Sequence, residues 1–93
     1  MANKGVKIHI VGPRVQGVGF RYYIWERANR LGITGYVKNQ ADGSVEIEAY
    51  GEESKLEKLV KYAERGPELA NISEVLFEFI PYKEQYTSFN IKR

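Results

Sequence analysis

Ninety-three residues make one domain's worth of chain, and 43% hydrophobic with 28% charged residues lies inside the globular range, which excludes disordered and fibrous architectures. No apolar run approaches the roughly 18 residues of a membrane span, strand-like sequence follows directly on Met1-Ala2-Asn3-Lys4-Gly5 and leaves no room for a signal peptide, and the absence of cysteine removes disulfides, thiolate zinc sites and cysteine nucleophiles. Fourteen Lys and Arg against twelve Asp and Glu give a net +2, and the densest basic stretch, Arg27 to Arg30, is broken by Ala28 and Asn29, so neither a nucleic acid nor a membrane is an expected partner. The composition fits a reducing cytoplasm.

In chain order, Val6, Ile8 and Ile10 alternate with Lys7 and His9, the period-2 pattern of a half-buried strand. A glycine-rich turn runs from Gly12 to Gly19. From Phe20 the period becomes helical, with Phe20, Ile24, Ala28 and Leu31 on one face and Gly32 as a left-handed stop. Ile33 to Asn39 reads as a second strand, Asp42-Gly43 as a hairpin turn, and Val45, Ile47 and Ala49 as the inner face of a third strand. A second helix is expected with Ser54 as its N-cap, Glu57 completing a capping box, a buried stripe of Leu56, Leu59, Val60 and Ala63, and Gly66-Pro67 as its end. Ile72 to Ile80 reads as a fourth strand with Val75, Phe77 and Phe79 inward, and a short fifth strand places Phe89 and Ile91 inward. The βαββαβ order with an added strand predicts an α+β, ferredoxin-like sandwich over residues 1–93: a mostly antiparallel sheet of four to five strands with both helices on one face.

Chemistry is concentrated between the first strand and the first helix, in Arg14-Val15-Gln16-Gly17-Val18-Gly19-Phe20-Arg21. Glycines let consecutive N–H groups converge on one point, and a helix N-terminus adds unpaired donors and partial positive charge. A guanidinium at that terminus opposes the helix dipole unless an anion lies between them. Local physics leaves two readings open, a phosphate-sized anion cradle and a plain glycine turn with a surface arginine. A Walker loop is excluded because Gly17 is followed by Val18-Gly19, and a dinucleotide fingerprint because Tyr22 occupies its third small position. His9 is the only histidine and Asp42 the only aspartate, so no metal site and no Ser-His-Asp constellation is expected. Glu46 and Glu48 read as a solvated strand face, and His9 as a neutral residue on the open face of the sheet.

These residues resemble the acylphosphatase family. Its first motif, Val-Gln-Gly-Val, any residue, Phe-Arg, appears as Val15 to Arg21, and its second runs from Gly35-Tyr36-Val37-Lys38-Asn39 through Gly43 and Val45 to Gly51. The resemblance extends from about Val6 to Ile91. It implies a metal-independent, cofactor-free enzyme that hydrolyses acyl phosphates to a carboxylate and inorganic phosphate, the latter also a competitive inhibitor, while the absence of an obvious apolar excess points to a monomer. It further implies that Gln16, Gly17, Val18, Gly19 and Phe20 supply an amide cradle, Arg21 clamps the phosphoryl group, and Asn39 orients the attacking water. One position departs from the pattern: Pro13 stands where the family usually has glycine, which stiffens the loop entry or displaces the cradle. Trp25, Tyr22 and Tyr23 are assigned to packing or amphipathic surface. The rival readings are a non-catalytic anion-sensing module on the same fold and an RNA-recognition domain; the acidic outer face of the third strand, Glu46 and Glu48, opposes the latter.

Overall fold

The period-2 segments form strands and the period-3.6 segments form helices, in the order β1 (Asn3–Val11), α1 (Phe20–Arg30), β2 (Thr34–Asn39), β3 (Val45–Glu52), α2 (Glu53–Arg65), β4 (Glu74–Ile80) and β5 (Phe89–Lys92). This is a computed structural model that describes residues 2–93; Met1 lies outside the described residues. The strands make one sheet in the order β4-β1-β3-β2-β5, antiparallel throughout except for the parallel pair β2 and β5. Pairing is in register with the hydrophobic pattern: Ile8 stands opposite Ile47 on one side and Phe77 on the other. A one-residue slip would turn every apolar side chain to the wrong face. Val6, Ile8, Ile10, Val45, Ile47 and Ala49 are fully buried with Phe20, Ile24 and Ala28 of α1 and Leu56, Leu59 and Ala63 of α2. Both helices therefore cover one face, as the ferredoxin-like reading requires.

Three local expectations are corrected. The capping box at Ser54 does not form, because the chain enters α2 straight from β3. Glu52 ends the strand with an extended backbone (φ −65°, ψ 133°), and the Glu53 amide donates to the Ala2 carbonyl at 3.0 Å. Ser54 thus lies inside the first turn, where its hydroxyl donates to the Glu52 carboxylate at 2.7 Å. The fourth strand begins at Glu74 rather than Ile72, since Asn71 is engaged instead in a bridge with Arg14. Phe77 shares a face with Val75 and Phe79 but remains 46% exposed, because β4 is an edge strand that α2 covers only in part.

The open face is less bare than an acidic strand surface would be. The connection between β4 and β5 crosses it and lays Tyr86 against Tyr36 and Tyr50, with ring centroids 5.9 Å apart in both pairs. The Tyr50 hydroxyl donates to Glu48 at 2.5 Å, and the Tyr36 hydroxyl to Glu46. Burial, followed by these carboxylate bonds, pushes both phenols well above the ordinary tyrosine range. Glu46 and Glu48 are therefore acceptors in an aromatic cluster, not a freely solvated face.

One glycine is required by contact. Gly35 has φ 133°, and a Cβ there would lie 1.9 Å from the Glu48 carbonyl oxygen of the neighbouring strand. Gly35→Ala is expected to lower the unfolding free energy by about 3 kcal/mol or more, as strain and overpacking add. Urea unfolding checks this, and a loss below about 1 kcal/mol would show that β3 yields at no cost.

Candidate active site

The loop from β1 to α1 is anchored at both ends by interactions outside itself. At its entry, Arg14 and Asn71 exchange backbone bonds, Asn71 donating at 2.8 Å and Arg14 at 3.3 Å. Pro13 is exposed immediately before this bridge. At the exit, Phe20 is 1% exposed in the core, a burial that contributes about 1.5–3 kcal/mol and fixes where α1 begins. Between the anchors, Gly17 (φ 74°) and Gly19 (φ 78°) take the left-handed conformation, and Gly19 precedes the first helical residue. A Cβ at either glycine would meet nothing within 4 Å, so these positions require glycine for its φ rather than for space.

This conformation leaves main-chain donors free. The amides of Gln16, Gly17, Val18, Gly19 and Phe20 have no acceptor among the described residues. The helix that follows has no side-chain cap and no acidic residue in its first turn. A run of unpaired N–H groups ending at an uncapped helix N-terminus is an anion site in waiting. The side chain of Gln16 does something different from its main chain. Its amide nitrogen donates to the carbonyls of Gln40 (2.7 Å) and Ser44 (2.8 Å), tying the loop to the β2–β3 hairpin.

That hairpin carries Asn39. Along β2, Tyr36 and Lys38 face outward with the aromatic cluster, while Gly35, Val37 and Asn39 face the helices. Asn39 therefore points to the same side as the N-terminus of α1. Arg21, in the first turn of α1, donates from Nη1 to the Lys92 carbonyl at 3.1 Å, which holds its guanidinium between helix and β5. A cleft of about 180 Å³ is lined by Gly17, Gly19, Phe20, Arg21, Tyr22 and Asn39, with Val15 and Ile91. It opens onto a wider concavity bounded by Arg21, Asn39, Ile91 and Arg93.

Four lining residues were given no site role by the sequence: Val15, Tyr22, Ile91 and Arg93. Tyr22, assigned to packing or surface, is 59% exposed at the cleft. Ile91, expected inward, is 40% exposed because β5 is an edge strand and its inner face is open where the cleft begins. Their adjacency to Arg21 and to the end of β5 was the available signal, but it acquires meaning only once β5 lies beside β2. Of the first motif, Gln16 and Val18 do not line the cleft with the others.

His9 and Asp42 do meet, through Ser44. His9 Nε2 lies 2.8 Å from Ser44 Oγ, which donates to Asp42 at 2.6 Å. The Ser44 backbone amide also donates to Asp42 at 3.0 Å, and these two bonds, side chain first, hold the Asp42 carboxyl below its usual range. The hydroxyl sits between imidazole and carboxylate and is 4% exposed, so this chain braces the hairpin and presents no nucleophile. Among the described residues, no three His, Cys, Asp or Glu side chains converge as metal ligands would.

Comparison with known proteins fits this geometry. The acylphosphatase family model matches residues 6–91. The chain belongs to the acylphosphatase family. It is 42% identical over 88 residues to an acylphosphatase of Caldanaerobacter subterraneus subsp. tengcongensis, covering 95% of this chain and 97% of that protein. It is 38% identical over 86 residues to one of Pasteurella multocida, covering 92% and 96%. The crystal structure of acylphosphatase from Bacillus subtilis superposes with a TM-score of 0.91 at 33% identity, covering 97% of this chain and 99% of that one. Like these acylphosphatases, the chain is a hydrolase of acyl phosphates.

The double bond from Gln16 yields a test. Gln16→Met keeps length and removes both donors, and is expected to cost about 1–3 kcal/mol of stability, as two net hydrogen bonds would. Acyl phosphate turnover should fall as well, because loop and hairpin lose their tie. Denaturant unfolding and a rate measurement on the same preparation check both effects.

Proposed function

We propose that the amides of Gln16, Gly17, Val18, Gly19 and Phe20 cradle the phosphoryl group of an acyl phosphate, with Arg21 as its clamp and Asn39 as the residue that orients the attacking water. The observation that carries this reading is the run of unpaired amides ending at an uncapped helix N-terminus, beside a cleft shared by Arg21 and Asn39. Phosphoryl transfer asks chiefly for positioning and for stabilisation of charge on the equatorial oxygens. The amides and the guanidinium meet those oxygens without reorganisation, since the loop is held from outside and Arg21 is steadied by the Lys92 carbonyl.

Water held by Asn39 attacks phosphorus as the bond from phosphorus to the acyl oxygen breaks, and the carboxylate departs with that electron pair. A carboxamide can hold water by hydrogen bonds but cannot act as its base. The proton of the water passes to a phosphoryl oxygen. Inorganic phosphate, the product, occupies the same cradle and competes with substrate. No metal or cofactor enters this scheme. The chain is read as a monomer, and one sheet with one core supports reading residues 1–93 as a single domain. No helix among the described residues is long and apolar enough to cross a membrane. The absence of cysteine supports a cytoplasmic setting.

Two outcomes test the assignment. Arg21→Ala is expected to weaken inhibition by inorganic phosphate and to lower kcat. Asn39→Ala should bind phosphate like the parent yet turn over acyl phosphate about 10²–10³ times more slowly, because its contact gains value only in the transition state. Parent-like turnover by folded Asn39→Ala removes Asn39 from the mechanism. Separately, turnover is expected to survive excess chelator; loss of activity restored by a divalent cation would contradict the scheme.

A further inference from the structure

The site contains a second cation that the hydrolysis itself does not use. Beyond the last parallel pair of β2 and β5, Lys38 with Lys92, the same register places Arg93 beside Asn39. Strand alternation puts Arg93 on the face of Ile91 and Phe89, toward the helices, whereas Lys92 lies on the opposite face over the Tyr36 ring, 4.1 Å from its centroid. The Lys92 carbonyl that accepts from Arg21 belongs to the peptide unit leading into Arg93. Arg21 and Arg93 then bound one concavity of about 720 Å³, together with Asn39 and Ile91 and with no Asp or Glu side chain among its lining residues. Neither arginine forms an ion pair among the described residues. Two arginines lining one concavity favour the entry of anionic groups.

The cradle and Arg21 account for one anion. We propose that Arg93 is a specificity-determining residue that holds a second anionic group, borne by the acyl part of the substrate. The favoured substrates are then acyl phosphates whose acyl chain ends in a carboxylate or a phosphate. Ile91, 40% exposed between the two arginines, offers the apolar contact that the intervening methylene groups need. The inference rests on the site assignment made above.

Butyryl phosphate and succinyl phosphate test it, since their four-carbon chains end in a methyl group and a carboxylate respectively. A phosphopropionyl phosphate supplies a terminal phosphate. The parent is expected to show a higher kcat/KM for succinyl than for butyryl phosphate by about fivefold, the upper end of what an exposed charge pair supplies. The difference should lie in KM, and should shrink as salt is raised. Arg93→Gln should bring the ratio close to one, and Arg93→Lys should keep part of it, because the ammonium retains charge without the planar fork. Dependence on Arg93 for one of the two charged substrates alone identifies which terminal group is held. Equal kcat/KM for all three substrates in the parent, or a ratio untouched by Arg93→Gln, overturns the proposal. Arg21→Ala separates the two levels. Intact butyryl phosphate turnover in that variant means the site assignment itself fails. Lost turnover there, with an unchanged ratio in Arg93→Gln, means that only the role of Arg93 fails.

Discussion

Five consecutive amides without acceptors among the described residues impose the constraint that organises this molecule. A segment that directs its donors toward a ligand cannot use them to hold itself, and an unbonded main chain tends to relax toward bonded conformations. The loop is instead held by groups that leave those donors alone: the Arg14–Asn71 bridge before it, the buried Phe20 ring after it, and the Gln16 side chain from within. Each anchor belongs to a different part of the fold. The bridge draws on the segment before β4, Phe20 on the shared core, and Gln16 on the β2–β3 hairpin. Preorganised donors are what the proposed electrostatic catalysis needs, and the anchors that hold this loop are distributed over several parts of the fold.

The same hairpin illustrates how position and chemistry are coupled. Gln40 and Ser44 accept from Gln16 through their carbonyls, Ser44 also bonds Asp42 and His9 through its hydroxyl, and Asn39 lies at the head of this braced unit. In the role proposed for Asn39, a carboxamide that orients water needs its backbone fixed to a fraction of an ångström. The hairpin meets that need with bonds whose partners come from β1, from the loop and from the turn itself.

Much of this was legible in the sequence, for identifiable reasons. Alternation in Val6, Ile8 and Ile10, the stripe Leu56-Leu59-Val60-Ala63 and the stops at Gly32 and Gly66 are local signals, and local signals set element type. The left-handed glycines Gly17 and Gly19 and the place of Arg21 in the first turn of α1 were equally readable, since φ preferences and helix-terminal charge act within a few residues. What failed was long-range or depended on junctions. Ser54 resembled a cap because strand and helix were assumed to be separated by a loop. Glu46 and Glu48 read as solvated because Tyr86 reaches them from the far end of the chain. His9 was correctly placed on the open face, but its bond to Ser44 required the pairing of β1 with β3. Tyr22, Ile91 and Arg93 became cleft residues only when β5 came to rest beside β2.

That late arrival has a kinetic side. β5 is four residues long, occupies an edge, and pairs only with β2, at a sequence separation of more than fifty residues (Gly35 with Phe89). Contacts between distant parts of the chain bear a loop-closure entropy and form slowly, and short edge elements open with less free energy than the whole molecule. When β5 detaches, the remaining four strands keep their ladder, but Arg21 loses the carbonyl that steadies it and the cleft loses Ile91 and Arg93. On the site assignment proposed above, catalytic competence follows the opening equilibrium of one peripheral strand rather than the global unfolding equilibrium. Amide exchange at Phe89 to Lys92 would report on the active population more closely than any melting temperature.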